Sequence, residues 1–249
     1  MQTRQIFLAR ETDCKPDDRN NKNQMTEIIK ITNLNYYYGK SHLRKQVLFD
    51  INLTVEAGEI LILTGPSGSG KTTLITLIGA LRSTEEGSLQ VMEEELVGMD
   101  EKRLMYLRQK IGFIFQHHNL FSSLTALQNV KIALELHNLP ADKVKSASLE
   151  VLEKVGLSDR INYKPETLSG GQKQRVAVAR ALVGSPKIIL ADEPTASLDK
   201  KSTEDVISLM HSMVKQEGKC LVIVTHDNRI FDMADRIVKM VDGCILKTD

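Results

Sequence analysis

The sequence has almost no surplus charge, few cysteines and no long apolar run, and each of these shortages excludes a class of protein. Its 33 Lys and Arg residues are balanced by 32 Asp and Glu residues, which leaves a net charge of +1. A chain without a global basic field lacks the electrostatic signature of a protein that binds nucleic acid or an anionic membrane surface. We therefore expect no nucleic-acid partner.

The three cysteines are Cys14, Cys220 and Cys244. No C-x-x-C pair indicates zinc, and an odd number of cysteines argues against a disulfide framework. Free cysteine is usually buried. Because Cys220 and Cys244 each lie in an apolar run, we expect both to be core residues of a protein in the reducing cytoplasm.

No uncharged apolar stretch approaches the roughly 20 residues needed to cross a bilayer. The apolar stretch Ile6–Ala9 is too short for the core of a signal peptide. The polar residues that follow it predict a flexible tail over residues 1–24. Any membrane role is therefore expected to depend on another polypeptide.

The most informative stretch runs from Gly65 to Thr73 and reads GPSGSGKTT, which fits the phosphate-loop pattern G-x-x-x-x-G-K-[ST]. The apolar run before it predicts a buried strand, and the helical spacing of apolar residues after it predicts a helix. A strand, a glycine-rich turn and a helix aim backbone N–H groups and the helix dipole at a phosphate chain. The plainer interpretation is a Gly/Ser turn before a core helix. The four specified positions, however, match by chance in roughly one chain in a hundred of this length.

Within this pattern, Lys71 is expected to reach the β- and γ-phosphates and the Thr72 hydroxyl to ligate Mg²⁺. The sequence therefore predicts ATP and Mg²⁺ as cofactors. The predicted phosphate-binding residues are Gly65, Pro66, Ser67, Gly68, Ser69, Gly70, Lys71, Thr72 and Thr73.

The rest of the chain predicts an α/β fold, namely a P-loop NTPase core with a mostly parallel sheet. Short runs from Thr26 to Val55, including 47–51 and 53–55, predict an antiparallel β-layer before that core. Near-continuous apolar runs at 187–192 and 220–225 are typical of parallel strands covered on both faces.

Between residues 117 and 167 helical patterns replace strand patterns, which predicts a helical subdomain inserted in an ATPase domain of residues 25–249. A later helix is predicted to begin at Ser202, its cap, and to end at Gly218. Asp242-Gly243 between two apolar runs predicts a hairpin.

Four polar residues follow predicted strands and are expected near the phosphates, since ligands bind beyond the carboxyl ends of parallel strands. Asp192 would ligate Mg²⁺, and Glu193 would polarise the attacking water. An apolar-Asp-Glu string alone is a strand cap about as often as it is a site. His226 would contact the γ-phosphate and steady the water, and Gln116 would offer its amide oxygen to Mg²⁺ or the water.

A second anion-binding turn, Ser169-Gly170-Gly171-Gln172, precedes a helix predicted from about Lys173 to Val183. The plainer interpretation is a turn in which Ser169 caps that helix. One chain cannot easily bring this helix onto phosphates already held by residues 65–73. We therefore infer that it serves the nucleotide of a second molecule.

Together these motifs resemble the ATPase subunit of an ABC transporter over about residues 25–245. The resemblance implies a head-to-tail homodimer in the ATP-bound state, with two ATP molecules at the interface. It also implies that Tyr38 stacks on the base, that Gln116 senses Mg²⁺ near a permease contact, and that Asp199, in Ser197-Leu198-Asp199, touches the opposite site.

More narrowly, 112–120 and 124–130 are similar to exporters of the MacB and LolD type. The stretches 80–89 and 225–230 resemble the DevA family of cyanobacterial exporters. That resemblance implies a membrane permease, a periplasmic adaptor and an outer-membrane channel, with the chain on the inner face of the plasma membrane and a lipid, glycolipid or other amphipathic cargo.

Two other functions remain open at this point. One is a regulatory ABC ATPase that uses the ATP-driven dimer as a mechanical clamp, as in cell division or cluster assembly. The other, an ABC protein of DNA repair, is expected to carry coiled-coil heptads or zinc cysteines, and the sequence has neither. The cargo itself is not readable from a subunit that need never contact it.

Overall fold

The computed structural model describes residues 26–196 and 198–246. The predicted tail, residues 1–24, and Ser197 of the predicted dimer contact lie outside the described residues. The strands are β1 (Glu27–Tyr38), β2 (Lys45–Glu56), β3 (Ile60–Thr64), β4 (Glu86–Val91), β5 (Glu94–Glu95), β6 (Ile111–Ile114), β7 (Ile188–Asp192), β8 (Cys220–Val224), β9 (Arg236–Val241) and β10 (Cys244–Ile245). The helices are α1 (Lys71–Ile78), α2 (Glu101–Arg108), α3 (Ala126–Lys131), α4 (Ala141–Lys154), α5 (Gly170–Leu182) and α6 (Lys200–Glu217).

The smaller sheet is antiparallel, as predicted, with the strand order β2-β1-β4-β5. The runs 47–51 and 53–55 are not separate strands but parts of β2. Asp50, inside the first of these runs, has a φ of 46° and donates its backbone N–H to the Asn35 side chain at 3.0 Å. Shifts in the pairing of β1 with β2 accompany this irregularity, so the ladder continues through a bulge.

The larger sheet has the order β10-β9-β3-β8-β7-β6, and all neighbouring pairs are parallel except the β9–β10 hairpin. Its central strands are buried along nearly their whole length. In β3, Leu61 and Leu63 join the core shared with the antiparallel sheet, whereas Ile60 and Ile62 join the core under α5 and α6. A strand buried on both faces explains the near-continuous apolar sequence.

Two helices begin earlier than predicted because residues upstream supply their caps. Helix α6 begins at Lys200, since the Asp199 carboxylate accepts hydrogen bonds from the Ser202 N–H and hydroxyl, each at 2.9 Å. The prediction that Ser202 caps this helix was therefore wrong, and Ser202 lies in its first turn. Helix α5 begins at Gly170 rather than near Lys173 because Ser169 caps it.

The segment 117–167 contains α3, a 3₁₀ helix over Ile132–His137, and α4. Helix α3 packs against α4 and α5. The boundaries of this segment as an inserted subdomain, and of the domain at 25–249, remain predictions.

The two cysteines within the described part of the chain differ in exposure. Cys220 is fully buried in β8, as expected, and burial raises the pKa of its thiol. Cys244 is exposed, because β10 is a two-residue strand at the edge of the sheet. The prediction that both are core residues was wrong for Cys244.

Candidate nucleotide site

The phosphate loop connects β3 to α1, as its sequence predicts, and its glycines occupy positions where a side chain does not fit. Gly65 has a φ of 138°, and a Cβ there would lie 2.0 Å from the Met240 carbonyl oxygen. Gly70, at the N-cap of α1, has a φ of 95°, and a Cβ there would lie 2.6 Å from the Leu48 side chain. The loop thus needs glycine both for its backbone conformation and for its packing.

Lys71 lies inside the curve of this loop and is only 8% exposed. Its ammonium group donates to the carbonyl oxygens of Gly65 and Pro66 at 2.8 and 2.9 Å. Burial lowers the pKa of this ammonium, and the Glu193 and Asp192 carboxylates oppose that shift. A buried cation surrounded by oxygen acceptors is suited to an anionic ligand.

The loop forms one wall of a cleft of about 650 Å³. The same cleft brings together the four predicted strand-end residues: one ends β7, one directly follows it, and two lie two residues beyond the ends of β6 and β8. They are Gln116, Asp192, Glu193 and His226. The cleft therefore places two carboxylates, an imidazole and an amide beside a lysine and a hydroxyl-rich loop.

Asp192 ends β7 and is 8% exposed. Burial raises the pKa of its carboxyl, and the neighbouring Glu193 charge adds to that effect, whereas a hydrogen bond from Thr72 and the Lys71 charge lower it. The contact between Thr72 and Asp192 joins the end of the phosphate loop to the end of β7.

Glu193 has a φ of 47°, an uncommon backbone conformation for a residue with a side chain. Its N–H donates to the Val224 carbonyl at 2.8 Å, so the bend is held against β8. The two carboxylate oxygens contact different partners. Oε1 lies 2.8 Å from His226 Nδ1, and Oε2 accepts from the Thr225 hydroxyl at 3.2 Å.

The group of residues behind Glu193 was not predicted from the sequence. Thr225 is fully buried, and its hydroxyl oxygen also accepts from the Asp227 N–H at 3.0 Å. Asp227 binds the Arg229 guanidinium and the Thr195 hydroxyl, and these hydrogen bonds lower the pKa of Asp227 to about 2. The sequence signal that could have identified this group is the pair Thr225 and Asp227, a hydroxyl and a carboxylate that flank His226 just after a predicted strand.

Tyr38 does not line the cleft but contacts the last residue of the phosphate loop. Its hydroxyl lies 3.2 Å from that of Thr73. The ring packs edge-on against Tyr36, and the Arg82 guanidinium lies 4.9 Å from its centroid. The phenol is 36% exposed, so part of the ring is open to a ligand.

The turn Ser169–Gln172 lies away from this cleft. Ser169 and Gln172 form a reciprocal capping box, in which each side chain accepts from the other's N–H at 3.3 and 2.9 Å. Gly171 lies against α6, because a Cβ there would be 3.0 Å from the Ser202 hydroxyl. The structure therefore does not bring Ser169, Gly170, Gly171, Gln172 or Asp199 to the phosphate loop of the same chain.

No helix within 26–196 and 198–246 has the length and apolar character needed to cross a membrane. The same residues contain no group of three or more His, Cys, Asp or Glu side chains that could hold a metal ion.

Comparison with known proteins gives a consistent result. Residues 48–196 match the family model described as ABC transporter. The chain is 43% identical over 220 residues to the macrolide export ATP-binding/permease protein MacB of Aggregatibacter actinomycetemcomitans, covering 88% of this chain but 34% of that protein. It is also 43% identical over 208 residues to the lipoprotein-releasing system ATP-binding protein LolD of Bacteroides fragilis, covering 83% and 96% of the two chains.

Among solved structures, the fold matches a dimeric post-hydrolysis state of the ATP-binding cassette MJ0796 bound to ADP and Pi. The TM-score is 0.83 at 37% identity, and the match covers 89% of this chain and 97% of that one. This agreement confirms the predicted fold class. The chain therefore belongs to the ABC transporter family and is an ATP-binding, ATP-hydrolysing cassette of that family.

Proposed function

We propose that this chain powers an export system by ATP-driven head-to-tail dimerisation and acts on a separate membrane permease. The observation that carries the proposal is the split between the two anion-binding elements. The phosphate loop and the strand-end residues share one cleft, whereas the capped Ser169–Gln172 turn lies outside it. A second copy of the chain could supply that turn, and the dimeric state described for the cassette MJ0796 supports this arrangement.

Within one cleft, Lys71 would bind the β- and γ-phosphates, and Glu193 would accept a proton from the attacking water. The water oxygen would bond to the γ-phosphorus as the bond to the ADP oxygen breaks, releasing ADP and phosphate. His226, 2.8 Å from Glu193, would hold the carboxylate and the water in line.

The residues around Asp192 fit Mg²⁺, which prefers oxygen ligands and is typically bound by one or two carboxylates together with substrate phosphates and water. The Asp192 carboxylate, the Thr72 hydroxyl and the Gln116 amide oxygen would hold it. Bound there, it would neutralise charge on the β- and γ-phosphates. Because phosphate oxygens and water supply the remaining ligands, such a Mg²⁺ site does not need three acidic or imidazole side chains from the protein.

At the interface, Ser169, Gly170, Gly171 and Gln172 of each copy would face the γ-phosphate held by the other, and Asp199 would touch the opposite site. Tyr38 would stack on the base. ATP shifts the chain to the dimer only if it binds the closed state more tightly than the open one. A nucleotide site shared by two copies of the chain meets that condition, because only the closed dimer brings the phosphate loop of one copy to the Ser169–Gln172 turn of the other.

The MacB and LolD relatives favour an export role. We further propose a system of the DevA type, with a periplasmic adaptor, an outer-membrane channel and a lipid, glycolipid or other amphipathic cargo. The chain would lie in the cytoplasm on the inner face of the plasma membrane and bind no nucleic acid. Residues 117–167 would carry the permease contact, where Phe121 is 50% exposed.

The test uses the purified Glu193→Gln variant with ATP. We expect turnover to fall by roughly a hundredfold or more, as when a general base is lost, and an ATP-bound dimer to accumulate on size exclusion. A variant that keeps its turnover, or stays monomeric at high concentration with ATP, contradicts the proposal.

Affinity capture separates export from the clamp function. Capture of a permease with a periplasmic domain supports export, whereas capture of division or assembly proteins supports the clamp.

A further inference from the structure

The backbone that carries Gln116 away from β6 bends through two consecutive left-handed residues. The φ of His118 is 61° and that of Asn119 is 48°. This conformation is unfavourable for residues with a Cβ and persists where the surroundings impose it. Gln116 lines the nucleotide cleft only two residues earlier, so its position depends on this bend.

Arg180, in the last turn of α5, holds the bend. Its Nη1 atom donates to the Asn119 carbonyl oxygen at 2.5 Å, and its Nη2 atom donates to the His118 carbonyl oxygen at 2.7 Å. One planar guanidinium thus binds two successive carbonyl groups with two of its donors. Burial lowers the pKa of this guanidinium.

The far end of the bent segment is held by α3. Asn129 is fully buried, its Oδ1 atom accepts from the Phe121 N–H at 2.8 Å, and its Nδ2 atom donates to the Phe121 carbonyl at 3.1 Å. The loop is therefore fixed at Phe121 by α3 and at His118 and Asn119 by α5. The Arg180 hydrogen bonds connect it to the helix that begins at Gly170.

Helix α5 has 13 residues, which gives a rigid rod about 20 Å long. Its first turn carries Gly170 and Gly171, proposed above to face the second nucleotide, and its last turn carries Arg180. A movement of one end is transmitted to the other because the helix does not bend easily.

We propose that Arg180 is a positioning residue that fixes the Gln116 loop to α5, so that Gln116 moves with the Ser169–Gln172 turn when a second copy binds. The inference rests on the role given to Gln116 in the proposed function. It assigns Arg180 a task in hydrolysis although its side chain lies outside the nucleotide cleft. Arg180→Met keeps much of the apolar stem and removes both hydrogen bonds.

The first measurement is amide hydrogen exchange of residues 116–121 in protein without nucleotide. We expect Arg180→Met to speed exchange there by roughly tenfold, as for the loss of a local tether, while α4 and the sheet keep their protection. Arg180→Lys keeps the charge and one or two donors and is expected to recover part of that protection. The control is Arg175→Met on the same helix, which removes an ion pair to Asp205 at 2.7 Å but no contact to this loop.

The second measurement is a double-mutant cycle in ATP turnover. We expect Arg180→Met to lower kcat by roughly tenfold with ATP affinity within about twofold of wild type, and to add less than about twofold when Gln116→Ala is already present. Arg175→Met is expected to combine additively with Gln116→Ala. If Arg180→Met does not fold, Arg180→Lys supplies the same comparisons.

Unchanged exchange at 116–121, or additive losses in the cycle, overturns the Arg180 inference and leaves the proposed function intact. Full turnover in Gln116→Ala refutes the role of Gln116, and the Arg180 inference fails with it. The two failures are distinguished by the Gln116→Ala variant alone.

Discussion

The Nδ1 atom of His226 lies 2.8 Å from the Oε1 atom of Glu193, and the other carboxylate oxygen of Glu193 accepts from Thr225. Because an ionised carboxylate only accepts hydrogen bonds, Nδ1 carries the hydrogen in this contact. The His226 side chain itself lines the cleft. The structure thus holds the proposed base by two donors from the segment that directly follows β8.

The Thr225 hydroxyl is expected to matter for turnover more than for nucleotide binding. In Thr225→Val the Glu193 carboxylate loses one of its two donors, so we expect kcat to fall by roughly tenfold with ATP affinity unchanged, as for a misplaced catalytic group. Thr225→Ser keeps the hydroxyl and is expected to restore most of the rate. Steady-state kinetics checks the split, and an unchanged kcat in Thr225→Val with a loss in Thr225→Ser would show that the methyl group, not the hydrogen bond, is what counts.

Asp227 is expected to make the stability of the protein depend on pH in the acid range. Its pKa in the folded chain is about 2, chiefly because of hydrogen bonds from Arg229, whereas an unfolded Asp has a pKa of about 3.9. A lowered pKa stabilises the fold above pH 4, and that contribution is lost as the pH falls from about 4 to 2. Allowing for the solvent around the half-exposed Arg229, the loss amounts to about 1–2 kcal/mol.

Urea unfolding at pH 5 and at pH 3 measures this contribution. In Asp227→Asn we expect lower stability at pH 5 and a smaller decrease between the two pH values than in wild type. Asp205→Asn is a suitable control, because it removes a carboxylate that binds Arg175 rather than Arg229. An unaltered pH dependence in Asp227→Asn would contradict the assignment.

The sequence predicted best those features that are encoded locally. The phosphate loop is a contiguous stretch whose glycines are demanded by Gly65 and Gly70 at positive φ, and the parallel strands appear as apolar runs because both faces are covered. The prediction that Asp192 and Glu193 lie near the phosphates had a different basis. It followed from the rule that ligands bind beyond the carboxyl ends of parallel strands, not from the residues adjacent to them in the sequence.

What the sequence did not predict depends on contacts between distant segments. Arg180 reads as an ordinary basic residue on an amphipathic helix, and only the fold brings it to carbonyl groups 61 and 62 positions earlier. Helix α6 begins at Lys200 because Asp199 competes with Ser202 for the cap, and either residue type is a good one. The exposure of Cys244 follows from its place on an edge strand, which an apolar run does not reveal.

The two described cysteines are expected to react with a thiol reagent at very different rates. In a Cys14→Ser background, exposed Cys244 is expected to react within the mixing time of a colorimetric assay, whereas buried Cys220, with its raised thiol pKa, is expected to react only after unfolding. Adding Cys244→Ser should remove the fast phase. Two fast thiols per chain in native protein would contradict the burial of β8.

Tyr38 offers a test of how the base is bound that is independent of hydrolysis. Its ring is partly exposed beside the phosphate loop, and Arg82 and Tyr36 support it. If the ring stacks on the base, Tyr38→Ala is expected to weaken ATP binding by roughly tenfold, since stacking contributes about 1–3 kcal/mol per base. Tyr38→Phe loses only the hydroxyl contact to Thr73 and is expected to stay within about twofold of wild type.

The neighbouring Tyr37→Ala is a matched control because that ring packs under Arg44 instead. Titration with a fluorescent ATP analogue measures all three variants, and an equal loss for Tyr37→Ala and Tyr38→Ala would indicate a general effect on β1 rather than stacking.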